Sequence, residues 1–160
     1  MTDSLRITLL RHAHALPAAI GQDDLVRSLS PEGEAEADSA AQWLAGHAAP
    51  ARVLCSPATR TRQTCARVLD RLGFVDQREE MAIYEATPGQ LIDLIERHRD
   101  AGHLMMIGHN PGFESLVALL ATGQSGDHRG MPPAGIAVLE LPGEQPIEPG
   151  TARLVAFWSP

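Results

Sequence analysis

A chain of 160 residues, 44% of them hydrophobic, is long enough to bury one proper core and too short to suggest two, so a single domain over residues 1–160 is expected. A net charge of −7 argues against nucleic acid or anionic membrane surfaces as partners, and an anionic substrate would have to be drawn by a local cluster of cations. No window approaches the roughly 20 apolar residues of a membrane span, and "MTDSLRITLL" lacks the basic start and cleavage site of a secretory signal, which predicts a cytoplasmic protein without a membrane partner.

The first element is "LRITLL", Leu5–Leu10, an apolar run that reads as a buried strand and stops at Arg11, His12 and His14. After Ser30-Pro31, residues Ala37, Ala40, Ala41 and Leu44 share one helical face while Glu32 and Glu34 sit in the first turn, where the helix dipole favours them. A helix from about Pro31 to Gly46 follows. "ARVLCS" reads as a second strand, and Thr61, Cys65, Val68, Leu69 and Leu72 trace the face of a helix from about Ala58 to Leu72. Cys55 and Cys65 lie outside any C-x-x-C spacing and are expected to be reduced, small core residues.

A brief strand is predicted around Met81–Tyr84, then a helix opened by Thr87-Pro88 with Leu91, Leu94, Ile95 and His98 inward. "LMMIG" is the next buried strand, and Asn110-Pro111 opens a helix running to about Leu120. Four times a Ser, Thr or Asn is followed at once by proline, the pairing of a capping side chain with the residue best suited to the first helical position. A Gly- and Pro-punctuated loop precedes "IAVLEL" and "ARLVAFW", two closing strands expected to pair antiparallel at a sheet edge. Strands alternating with amphipathic helices predict an α/β protein.

Three segments repeat one arrangement: an apolar strand, a polar residue able to bind phosphate, and a nearby helix start. They are "ITLLRHAHA", "RVLCSPATRTRQT" and "LMMIGHNPGF". In open α/β sheets ligands collect at the carboxyl ends of strands, where helix N-termini also offer N–H groups to anions. Side by side, these strand ends bring Arg11, His12, Arg60 and His109 to one pocket. Taken singly, each has a plainer reading: a histidine bonded to a loop carbonyl, or a solvated helix arginine, which is the reading of Arg62 and Arg67.

"HAH" admits a metal site as well as a nucleophile beside a phosphate clamp. The barrels that begin metal sites this way need about 250 residues, and His47, His98, His103 and His128 fall at no ligand spacing. No metal or other cofactor is predicted, and His14 reads as a rim residue. Walker-type loops, G-x-S-x-G elbows and basic patches interleaved with aromatics are lacking in a chain with 4% aromatics, which offers nucleic acid no stacking surface.

"LLRHAHA" resembles the Arg-His-Gly/Ala signature of the histidine phosphatase superfamily, the phosphoglycerate mutase-like proteins; "CSPATRTRQT" resembles its second signature and "MIGHNPG" its third, in the same order along the chain. The short length and the helix directly after "HNPG" resemble the SixA branch of small phosphohistidine phosphatases. The resemblance implies a three-layer fold, helices on both faces of a largely parallel sheet, and a covalent mechanism without metal. His12 would attack phosphorus to form a phosphohistidine, Arg11, Arg60 and His109 would hold the phosphoryl oxygens, and Glu85 stands where many members carry the acid for the leaving group. "RSLSPEG" departs from the branch pattern and leaves the reach of Arg27 open. The implied substrate is a phosphorylated protein domain; a small phosphate ester is the alternative, and a phosphate-binding module without turnover is the rival from another class.

Overall fold

The computed structural model describes residues 4–160. Ten main elements follow in chain order: β1 (Leu5–Arg11), α1 (Pro31–Ala45), β2 (Arg52–Cys55), α2 (Thr59–Leu72), β3 (Asp76–Glu79), α3 (Pro88–Arg97), β4 (His103–Gly108), α4 (Gly112–Thr122), β5 (Ile136–Leu141) and β6 (Arg153–Trp158). The six strands form one sheet in the order β3-β2-β4-β1-β5-β6. β3, β2, β4 and β1 run parallel, and β5 and β6 add antiparallel at the β1 side. Because β4 returns to lie between β2 and β1, the carboxyl ends of these three strands are neighbours. That is the crevice position for ligands in such sheets.

Side-chain alternation along the strands divides the core in two. Ile7 and Leu9 of β1, Leu104 and Met106 of β4, and Ala137 and Leu139 of β5 pack with Leu91, Leu94 and Ile95 of α3 and Phe113, Leu116 and Leu120 of α4. On the other face Leu10, Met105, Ile107, Ile136 and Val138 meet Ala37, Ala40, Ala41 and Leu44 of α1 and Cys65 and Val68 of α2. Both cysteines are buried and free. The architecture is the expected one, helices on both faces of a mostly parallel sheet.

Two of the four cap-and-proline starts hold. The Ser30 hydroxyl accepts from the Gly33 amide (3.0 Å), and Thr87 forms a reciprocal capping box with Gln90; each such cap contributes about 1 kcal/mol. The other two are displaced. α2 begins at Thr59 with Ala58 as its cap, and α4 begins at Gly112 with Pro111 as its cap, neither with a side-chain cap bond. Ser56 is engaged elsewhere, with His109, while Asn110 still serves α4 from one residue before the cap: its side-chain oxygen accepts from the Glu114 amide of the first turn (3.2 Å) as its amide N–H groups donate to the Glu114 carboxylate and the Met131 carbonyl.

Other expectations are corrected. Met81–Ile83 is a 3-10 turn rather than a strand. The strand lies earlier, at β3, whose four residues are all exposed and polar, so no apolar alternation marks it. α3 ends at Arg97, which leaves His98 as its C-cap instead of an inward residue; its ring accepts from Arg52.

Candidate active site

β1 carries its pairing one residue past its end. The amide of Arg11 donates to Gly135, that of His12 to Gly108, and the His12 carbonyl accepts from Ala134, all at 3.0 to 3.1 Å. The amide of Ala13 donates to the Thr64 hydroxyl of α2 (3.2 Å), which in turn donates to the Arg60 carbonyl. With the backbone held on both sides, the His12 ring lies close to its own strand end and Nδ1 approaches the Ala13 carbonyl at 2.7 Å. A carbonyl only accepts, so Nδ1 carries the proton and Nε2 keeps its lone pair. Burial, reinforced by the charges of Arg60, Arg11 and Arg27, lowers the ring's pKa to about 4, partly opposed by the Ala13 carbonyl. The imidazole is therefore neutral at pH 7.

Arg60, in the first turn of α2, is 6% exposed. Its two terminal nitrogens donate to the Asp24 carbonyl (2.8 Å) and carboxylate (2.9 Å), and the second lies 3.4 Å from Nδ1 of His109. His109 follows β4, with Nε2 2.8 Å from the Ser56 hydroxyl and its ring 5.3 Å from that of His12. Burial, together with nearby positive charge, pushes its pKa down to about 3. Arg11 donates one terminal N–H to the Met131 carbonyl (2.7 Å). The Nε groups of Arg11 and Arg60 are buried without any partner. Buried donors are nearly always paired, so two unpartnered guanidinium N–H groups beside one cavity set this cluster apart from a satisfied ion pair.

That cavity has a volume of about 580 Å³ and is walled by Arg11, His12, Arg27, Arg60, Glu85 and His109, with Asp24, Tyr84 and Asn110 between them. All five residues singled out from the sequence are thus brought together. Glu85 is exposed, its backbone sits in the left-handed region at φ 55°, and its carboxylate has no hydrogen-bond partner among the described residues. A non-glycine residue held there costs of order 1 kcal/mol and is typical of functional loops. Arg27 does reach the cavity wall, where it pairs with Asp24 (3.1 Å) and donates to the Leu16 carbonyl (2.9 Å).

His14 is not a rim residue. It is exposed outside the cavity, with its ring on the Ser30 hydroxyl at the start of α1 (2.7 Å). Among the described residues no group of three or more His, Cys, Asp or Glu side chains could hold a metal ion.

Sequence reasoning missed Asp24, Tyr84 and Ser56. Tyr84 donates to Asp24 at 2.6 Å, which holds that carboxyl far below the usual carboxylate range and pushes the phenol up to about 12. Asp24 lies in a polar loop without periodicity, 36 residues from Arg60 and 60 from Tyr84, so no local signal could have found it. Gln63, part of "TRQT", is structural: it accepts from the Leu29 amide (2.7 Å) and ties the loop before α1 to α2.

The model of the histidine phosphatase superfamily, branch 1, matches residues 7–100. A Mycobacterium tuberculosis protein of uncharacterised function is 38% identical over 163 residues, covering 94% of this chain and 99% of that protein. Among solved structures, the candidate phosphohistidine phosphatase SixA of Agrobacterium tumefaciens superposes with a TM-score of 0.85 at 31% identity, over 98% of each chain. A protein histidine phosphatase SixA complexed with tungstate gives 0.81 at 25% identity, over 97% of each.

Proposed function

The chain belongs to the histidine phosphatase superfamily, as a phosphatase of its SixA-like branch, and on that premise we propose that it works through a covalent phosphohistidine at His12, with a phosphohistidine on a protein domain as substrate. The observation that carries the reading is the neutral His12 ring: Nδ1–H is tied to the Ala13 carbonyl, leaving Nε2 as an unprotonated nucleophile beside two arginines with unpaired N–H groups.

Nε2 attacks phosphorus in line as the bond to the leaving group breaks, and the electron pair departs with the leaving atom. Arg11, Arg60 and His109 hold the three phosphoryl oxygens, over which charge spreads in the transition state. Water then attacks the phosphohistidine, returning the ring with its lone pair and releasing inorganic phosphate. When the leaving group is an imidazole already protonated on its other ring nitrogen, the electron pair departs on neutral imidazole, whose conjugate acid has a pKa near 6.5, and no separate acid is needed.

A protein substrate is supported by the loop that walls the cavity. Leu16, Ile20 and Val26 are exposed apolar side chains on the segment that Arg27 and Asp24 anchor, a surface that a small phosphate ester would not use. Glu85 favours a second reading, a small phosphomonoester whose alkoxide leaving group requires a proton.

The test is a rapid-quench reaction with an activated aryl phosphate in the presence of a chelator, read by intact mass on wild type and His12→Ala. The expected result is a transient, acid-labile phosphoryl adduct on wild type alone. Turnover that requires metal would return "HAH" to a metal role, and the lack of both turnover and label would leave a binding module.

A further inference from the structure

We propose that Asp24 is the pocket's resident anion: its carboxylate holds one of the two terminal nitrogens of Arg60, where an incoming phosphoryl group must bind, and so keeps inorganic phosphate weakly bound. This rests on reading the cavity as a phosphate site.

The geometry is that of an internal ligand rather than a surface ion pair. Arg60 is buried, and both of its terminal nitrogens are directed at Asp24, one at the carbonyl and one at the carboxylate. The same carboxylate receives the Tyr84 hydroxyl and an Arg27 N–H. Three donors from three separate segments converge on one small carboxylate, at the wall of a cavity where Arg60 Nε and Arg11 Nε remain unpaired.

A carboxylate so held stays ionised, which makes it unfit to donate a proton to a leaving group or to take one from water; that separates it from Glu85. What it does offer is negative charge at the spot where the phosphoryl oxygens arrive. A phosphate entering the site meets two opposed effects, the unpaired N–H groups that attract it and a fixed like charge that repels it. The substrate's phosphoryl group and the released phosphate are both anions near pH 7, but the substrate is also held through the rest of its carrier and the product is not. Asp24 therefore acts most strongly on product retention, while Tyr84 and Arg27 keep it in place when Arg60 turns to the substrate. Its role is that of a positioning residue, acting through Arg60.

The consequence has a sign opposite to that of a structural anchor. Removing an anchor of Arg60 would weaken phosphate binding; removing a competing anion should strengthen it. Asp24→Asn keeps the size of the side chain and an acceptor for Tyr84, and Asp24→Glu keeps the charge. Affinity for inorganic phosphate is measured by calorimetry, and product inhibition of aryl phosphate turnover is measured alongside. Asp24→Asn is expected to bind phosphate about tenfold more tightly, with KM and the phosphate inhibition constant both lowered, and Asp24→Glu to bind as weakly as wild type. Equal or weaker binding by a folded Asp24→Asn, or tight binding by Asp24→Glu, overturns the proposal. Asp24→Ser makes the same measurement if the amide variant does not fold. Failure of every form, wild type included, to bind phosphate would overturn the phosphate-site reading itself, a result distinct from equal binding by wild type and Asp24→Asn.

Discussion

Arginine, histidine and aspartate cluster at both ends of the central strands, and the two clusters differ in how their charge is met. At the amino end of β2, Arg52 donates to both oxygens of Asp100 (2.9 Å each), to Asp76 (3.3 Å) and to His98 (3.1 Å). Arg78 also holds Asp76, so two guanidiniums meet two carboxylates, and Asp100 above all raises the pKa of Arg52. At the carboxyl ends the charges are not balanced in this way. Arg11, Arg27 and Arg60 surround one bonded carboxylate, Asp24, and two buried guanidinium N–H groups are left over. The same residue types make a neutralised structural contact at one end and an anion trap at the other. Uncompensated buried donors, rather than the presence of arginine, mark the site.

The largest effect should separate the two arginines. Arg60→Ala removes phosphoryl contacts that strengthen as charge spreads in the transition state, and kcat/KM should fall about 10³-fold. Arg52→Ala breaks a partly exposed ion cluster of the kind that contributes up to about 1 kcal/mol, so activity should change less than about twofold and Tm by a few degrees. Comparable losses of kcat/KM in both variants would refute the distinction between the clusters.

Next in size is the response to acid. The folded pKa values of His12, about 4, and His109, about 3, both lie below the ordinary 6.5. Between the two limits the unfolded chain binds protons that the folded protein refuses, so stability is full above about pH 6.5 and falls as pH drops towards 4. The loss at pH 4.5 should be on the order of 2 kcal/mol for each ring. Urea unfolding at pH 7 and 4.5 measures it, and His12→Gln should remove about half of the difference. An unchanged pH dependence in that variant would mean that the nucleophile is not held neutral by burial.

Glu85 sharpens the contrast within the site, since it is the carboxylate on the cavity wall that no arginine holds. If it protonates leaving groups, Glu85→Gln should slow an alkyl phosphate about 10²-fold while leaving an activated aryl phosphate and a phosphoimidazole within about twofold. Equal losses on all three would remove the acid role.

Much of the carboxyl-end cluster was legible in the sequence because strand and site there are contiguous. Arg11 and His12 end a buried apolar run, His109 follows another, and Arg60 stands one turn after a third, so the strand periodicity that places the core also places the site. What stayed hidden is what sequence distance conceals. β3 pairs with β2 through its backbone and the Arg52–Asp76 contact, and its exposed Asp, Gln, Arg and Glu carry no apolar signal. Asp24 and Tyr84 meet only after two loops fold across the strand ends. Ser56 carries a cap residue's chemistry yet bonds His109, whereas Asn110 does accept from a first-turn amide of α4, and a proline after both signals a helix start without saying which partner the side chain takes.

Ser56 therefore supplies the smallest and most specific prediction. In the free site Arg60, which can only donate, lies 3.4 Å from Nδ1 of His109, so that nitrogen accepts and Nε2–H donates to the Ser56 hydroxyl. To hold a phosphoryl oxygen, Nδ1 must carry the proton instead, and Nε2 then needs a donor. A hydroxyl can serve in either sense, which a methyl or a fixed amide cannot. Ser56→Ala should lower kcat about tenfold through loss of one buried hydrogen bond to the neutral ring, while Ser56→Thr, which keeps the hydroxyl, should restore most of it. NMR of the His109 ring nitrogens with and without inorganic phosphate should show the tautomer change in wild type and its loss in Ser56→Ala. A ring that keeps one tautomer throughout would make Ser56 a packing contact and leave His109 to bind phosphate through Arg60 alone.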